Sequence, residues 1–201
     1  MERAEQMRVL ALYWRHITRS MKHILLTISL ILGATAVSAE NEISLKQLEA
    51  FAKQGDLAAQ IDLANAYRKG IGVTQDYKTA VKWFTLAAEQ GDAVAQYNLG
   101  IMHSFGLGVI PNYQPAVKWY TLAAEQGDPL AQYNLGRLYY LGKGVPENLV
   151  YAHMWAEHAS LNGFAMATEF KNLLTELMTE NQISEANRLG KECEDKKYKG
   201  C

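Results

Sequence analysis

The sequence predicts an all-α fold, a right-handed α/α solenoid of antiparallel helix pairs. Three observations carry this prediction. Trp83, Trp119 and Trp155 recur at an interval of 36 residues, and so do the glycines Gly55, Gly91, Gly127 and Gly163. Residues 84–119 and 120–155 agree at 20 of 36 positions. Between these landmarks the apolar residues follow helical spacing, with no strand-like alternation. A period of this length marks a stacked array, in which each unit buries its apolar face only against its neighbours.

Residues 1–39 precede the array and read as a signal peptide. Arg15, Arg19 and Lys22 lead into an apolar run from Ile24 to Gly33, and small residues follow as far as Ala39. That order is a charged segment, a short hydrophobic segment and a cleavage site, with the cut expected between Ala39 and Glu40. The run is short for a bilayer span, which takes about 20 residues; an uncleaved signal retained as an anchor is the alternative. Met21 would serve as an ordinary start, which would make residues 1–20 an upstream start artefact. The expected location is the periplasm or outside the cell.

Residues 40–56 are expected to form an N-terminal capping half-repeat. Ser44 and Gln47 fit a capping box that opens a helix ending near Gly55. Residues 57–163 hold about three full repeats. In each, an aspartate (Asp56, Asp92, Asp128) is placed to cap a first helix. Pro129 falls at the first helical position, where proline is tolerated. Ala95, Leu99, Gly100 and His103 lie on one face of that helix. Ala59, Leu63, Ala64 and Tyr67, then Ala131, Leu135, Gly136 and Tyr139, are their equivalents. Gly70, Gly106 and Gly142 stand where a helix ends in a left-handed residue.

The second helix of each repeat starts from Asp76, Asn112 or Asn148. Ala80, Trp83, Phe84, Ala87 and Ala88 share its inner face. A glycine stops it and the next residue caps the following helix, which makes a tight antiparallel joint. The many alanines and glycines let helix axes approach, and the tryptophan is expected to fill the gap against the neighbouring pair. The pairs Gly70 and Gly72, Gly106 and Gly108, and Gly142 and Gly144 read as turn glycines.

Residues 164–201 form a degenerate repeat, a capping helix and a cysteine-bearing tail. Gly163 is followed by Phe164, not by aspartate. Residues 165–178 read as one helix and residues 180–190 as a polar-faced closing helix. Cys193 and Cys201 are the two cysteines of the chain. In an oxidising compartment they are expected to pair, free thiols or an intermolecular bond being the alternatives.

Composition argues against several functions. Beyond the leader there are 15 basic and 19 acidic residues, a formal charge of −4. That supplies no basic footprint for nucleic acid or an anionic membrane. His153 and His158 are five apart, unlike the metal-binding H-E-x-x-H spacing, and are expected to be surface or partly packed residues. His103 replaces a tyrosine of the neighbouring repeats, so packing is its expected role. No nucleophile stands beside a base in a recognisable motif, and neither cofactor nor metal is expected.

The segments Ala95–Gly100, Gly106-x-Gly108-Val109, Asn112-Tyr113 and Ala116–Gly127 together resemble the Sel1-like repeat family, a relative of the tetratricopeptide repeats. The resemblance covers roughly residues 48–178, and the period of 36 separates it from an ordinary tetratricopeptide array of about 34. It implies a non-catalytic scaffold or adaptor in the cell envelope that binds a protein partner. Some secreted relatives are described as β-lactamase or penicillin-binding proteins, which makes a hydrolase the alternative. Those relatives carry cysteine pairs inside every repeat; this chain has none there, and it lacks S-x-x-K with a later K-T-G. A self-associating structural subunit is a third class, a monomer being expected.

A solenoid presents a long concave surface, so recognition is expected where the repeats stop agreeing. On the first helices the positions opposite the core read Asp62, Asn65 and Lys69, then Asn98, Ile101 and Phe105, then Asn134, Arg137 and Leu141. These nine residues form the candidate partner-binding strip.

Overall fold

The computed structural model describes residues 45–201. The leader, its cut after Ala39, the start at Met21 and the capping serine Ser44 lie outside the described residues. Among the described residues all regular structure is helical. Helix α1 covers 45–53, and α2 (Leu57–Lys69), α3 (Tyr77–Glu89), α4 (Ala93–Phe105), α5 (Tyr113–Ala124), α6 (Pro129–Leu141), α7 (Leu149–Leu161), α8 (Ala165–Leu177) and α9 (Glu180–Asp195) follow. Leu48–Cys201 form one compact unit. From α2 to α8 each helix packs on the next, and α9 turns back onto α7. The result is a solenoid built from the pairs α2/α3, α4/α5 and α6/α7.

Local chemistry sets the boundaries. The carboxylates of Asp56, Asp92 and Asp128 accept from the backbone N–H of Ala59, Ala95 and Ala131 at 2.8, 2.7 and 2.7 Å. Each satisfies a donor that has no partner within its helix. Asp76, Asn112 and Asn148 cap α3, α5 and α7 in the same way. The first helix of each pair ends at Gly70, Gly106 or Gly142 in the left-handed conformation.

The repeats are joined by a buried relay of amides. Gln60, Gln96 and Gln132 are 3, 4 and 0 % exposed. Their side chains donate to the carbonyls of Ala52, Ala88 and Ala124 at 3.1, 3.1 and 3.2 Å. Their oxygens accept from Gln90, Gln126 and Asn162, each 30 residues further on, at 2.8, 2.8 and 2.9 Å. Gln90 and Gln126 donate also to the carbonyls of Gly55 and Gly91. Every joint is thereby bonded to the one before it.

Close backbone approach supplies the second link. A Cβ on Gly108 would lie 2.5 Å from the carbonyl carbon and oxygen of Tyr77, and one on Gly144 would lie 2.5 Å from the Tyr113 oxygen. The loop of one repeat therefore rests on the start of the previous repeat's second helix. Gly108 and Gly144 are stacking residues as well as turn residues. Gly72, which has no full repeat before it, would meet nothing within 4 Å.

The tryptophans differ from expectation. Only Trp155 is buried, at 1 % exposure; Trp83 and Trp119 are half-buried at the edge of an earlier core cluster. In the first two repeats the buried aromatic is the following residue, Phe84 or Tyr120. Trp155 is enclosed because α9 returns to α7 and brings Cys193 into the same cluster. The closing helix also runs to Asp195, past Gly190, and Thr179 with Gln182 forms its capping box. Cys193 and Cys201 are joined in a disulfide, their Cα atoms 5.5 Å apart.

The glycine contacts give a paired test. Gly72→Ala is expected to cost about 1–2 kcal/mol, the penalty of a Cβ in left-handed backbone. Gly108→Ala adds a backbone clash and is expected to cost more than about 3 kcal/mol. Urea denaturation of both variants measures the difference; equal losses would mean that the loop does not bear on α3.

Candidate functional site

The candidate strip does not behave as one surface. Asp62 and Lys69 are exposed on α2, and Asn65 between them is half-buried. The Asn65 amide donates to the Ile61 carbonyl at 3.1 Å, and its oxygen accepts from Arg68 at 3.0 Å. Asn98 is 9 % exposed and donates to the Val94 carbonyl at 2.8 Å, so it is an internal residue and not part of a free face. Ile101 is half-buried and packs against the central core cluster.

The other four converge. Phe105, Asn134, Arg137 and Leu141 line a cleft of about 140 Å³, together with Ser104, Tyr113, Tyr120, Leu138 and Lys143. The end of α4 forms one wall and α6 the other, with α5 contributing its two tyrosines. Phe105 is 71 % and Leu141 46 % exposed, although both are large and apolar. Tyr113, Tyr120 and Lys143 were not predicted. The tyrosines come from α5 and reach the cleft through its packing on α4 and α6, whereas Lys143 comes from the loop that follows α6.

Two cations border the cleft, both standing on aromatic faces. The Arg137 guanidinium lies 5.7 Å from the Tyr133 ring centre, and the Lys143 ammonium 5.1 Å from that of Tyr113. Such contacts contribute about 0.5–1 kcal/mol at exposed sites and orient the side chain. Among the described residues the ion pairs involve other groups. Burial pushes the Tyr120 hydroxyl up to about 12. This arrangement can hold an apolar group beside an anion. Among the described residues no group of three or more His, Cys, Asp and Glu side chains is placed to hold a metal ion, and no helix is long and apolar enough to cross a membrane.

The histidines of α7 correct a second expectation. His153 and His158 are 4 and 1 % exposed, hence core residues and not surface ones. They point to different neighbours because α8 and α9 both pack on α7. His153 Nε2 lies 3.1 Å from Thr175 Oγ1. The His158 ring meets Tyr198 and Trp155 edge-on, with Nδ1 3.7 Å from a Glu194 oxygen. Burial holds both rings below the usual histidine range, against the opposing pull of Glu157 and Glu194. His103 is half-buried and lowered by burial in the same sense.

A pH dependence follows from this burial. The rings take up protons less readily in the folded chain than in the unfolded one, where the ordinary value is 6.5. Their contribution is fully present above that value and is lost as pH falls from it through the lower value of the folded state. Tm is expected to drop between about pH 7 and pH 5, and His158→Phe is expected to make the decline shallower. Calorimetry across that range checks both; an unchanged slope in the variant would show that His158 does not titrate on unfolding.

The Sel1 repeat model matches residues 57–92, 93–128 and 129–164. A crystal structure of a Sel1 repeat protein from Oxalobacter formigenes is 38% identical, with a TM-score of 0.59, covering 64% of this chain and 97% of that one. The crystal structure of c5321, a protective antigen present in uropathogenic Escherichia coli strains and displaying an SLR fold, is 31% identical with a TM-score of 0.50. That match covers 77% of this chain and 42% of the antigen. No curated protein matches the chain.

Proposed function

The chain belongs to the Sel1 repeat family, and from that premise we propose that it is an exported, non-catalytic scaffold that holds a protein partner in the cell envelope. Sel1 repeats generally mediate contacts between proteins. One observation carries the assignment to this molecule. Three of the residues that vary between repeats converge on one cleft, while the core residues around them recur. Phe105, Arg137 and Leu141 meet there on a framework whose alanines, leucines and glycines repeat from one helix pair to the next. Aromatic and arginine side chains gathered in one cleft are the residue types that dominate protein contacts.

Two further features support the rest of the proposal. The leader pattern and the cystine at Cys193 and Cys201 both suit an oxidising compartment outside the cytoplasm. The repeats lack the internal cysteine pairs of the β-lactamase-like relatives, which favours a binding role over hydrolysis.

Two experiments test this. In affinity capture from native envelope extract, the double variant Phe105→Ala with Arg137→Gln is expected to recover less than about a tenth of the partner held by the wild type, as for central contacts of an interface. Equal recovery would remove the cleft from the function. N-terminal sequencing of the exported protein is expected to begin at Glu40; Met1 or Met21 on mature protein would overturn the export proposal.

A further inference from the structure

The cleft between α4 and α6 has a charge that the repeat pattern does not supply. Its two charged lining residues, Arg137 and Lys143, are both cations, and no carboxylate lines it. One repeat earlier the corresponding positions are Ile101 and Leu107. The positive charge is therefore particular to one step of the stack, on a mature chain whose formal charge is −4. Both cations rest on tyrosine faces and lie outside the ion pairs of the described residues, so neighbouring side chains leave their charge uncompensated. Between them the walls are apolar, with Phe105 71 % exposed.

We propose that this cleft takes a linear acidic segment of a partner protein. A bulky apolar side chain of the segment sits between Phe105 and Leu141, and carboxylates beside it meet Arg137 and Lys143. The proposal rests on the scaffold reading above and names the partner's chemistry. The size fits: the cleft holds about 140 Å³, and a cavity of about 150 Å³ accepts a benzene-sized group. The charge fits as well, since a guanidinium binds a carboxylate through two parallel hydrogen bonds. A polyanionic sugar suits the cleft less, because two cations are few for a polymer of charges and Phe105 with Leu141 would gain nothing from it.

A random dodecapeptide display library, selected on the full mature chain, tests this directly. The expected consensus is a bulky aliphatic or aromatic residue flanked by Asp or Glu. Binding of a selected peptide, followed by fluorescence polarisation, is expected to fall about tenfold or more in each of Arg137→Gln, Lys143→Gln and Phe105→Ala. These residues are exposed, so circular dichroism is expected to show unchanged folding. A neutral or basic consensus, indifference to the three substitutions, or no enrichment at all would overturn the proposal. Retention on dextran sulfate that needs Arg137 but not Phe105 would also overturn it, as a polyanion site. The two readings fail separately: if capture of the envelope partner still depends on Phe105 and Arg137 while no acidic peptide is selected, the scaffold reading stands and the acidic-segment proposal falls; if capture is indifferent to both residues, the scaffold reading of the cleft falls as well.

Discussion

The buried glutamine at the fourth position of each first helix is the constraint on which the stack depends. Gln96 spans three elements with one amide: it donates back to Ala88 and accepts from Gln126 of the next joint. The arrangement is exacting because the group is out of water. A buried amide left without a partner costs about 1–3 kcal/mol, so a slipped register forfeits more than the bonds themselves. Apolar contacts between alanine-rich helices tolerate small displacements; this relay does not. The glycines at 108 and 144 act in the same direction, since their loops touch the preceding helix at a distance no side chain would permit. Polar pairing and steric exclusion together hold the repeats at one stagger.

That fixed stagger shapes the cleft. Phe105 ends α4 and Leu141 ends α6, so their separation is the spacing of the repeats. Tyr120 closes the floor because Gly100 leaves room for its ring; a Cβ there would stand 2.4 Å from it. The cleft is thus a gap between rigid neighbours, with its chemistry supplied by the few positions that the scaffold leaves free. Variation at these positions changes what is held without disturbing how the repeats stack.

Much of this was legible in the residues. Caps, helix ends and Gly-Asp joints are local events, decided by one side chain and its nearest backbone groups, so Asp92, Gly106 and Asn112 could be placed without a fold. Burial was harder wherever a non-repeated element intervened. Trp83, Trp119 and Trp155 share one register, yet only the last is enclosed, because α9 folds back over α7. His153 and His158 are buried under α8 and α9 for the same reason. Asn98 looked like a surface residue from its helical position, but it is 9 % exposed and its amide turns back to the Val94 carbonyl. Helix spacing also could not bring Tyr113 to the side of Arg137, which needed the packing of helices from different repeats, nor place Lys143, whose side chain is set by the turn after α6.

The tail carries a consequence of its own. Each repeat bonds to the next over 30 to 35 residues, so the stack can assemble progressively as the chain emerges during synthesis. The tail reverses that logic. Tyr198 lies over His158, and the backbone N–H of Gly200 donates to Glu125, 75 residues back, the longest reach of any hydrogen bond among the described residues. That bond, and the disulfide beside it, use Gly200 and Cys201. The middle of the solenoid is therefore latched by the segment beyond α9, and a product that stops before Gly200 would be left unlatched.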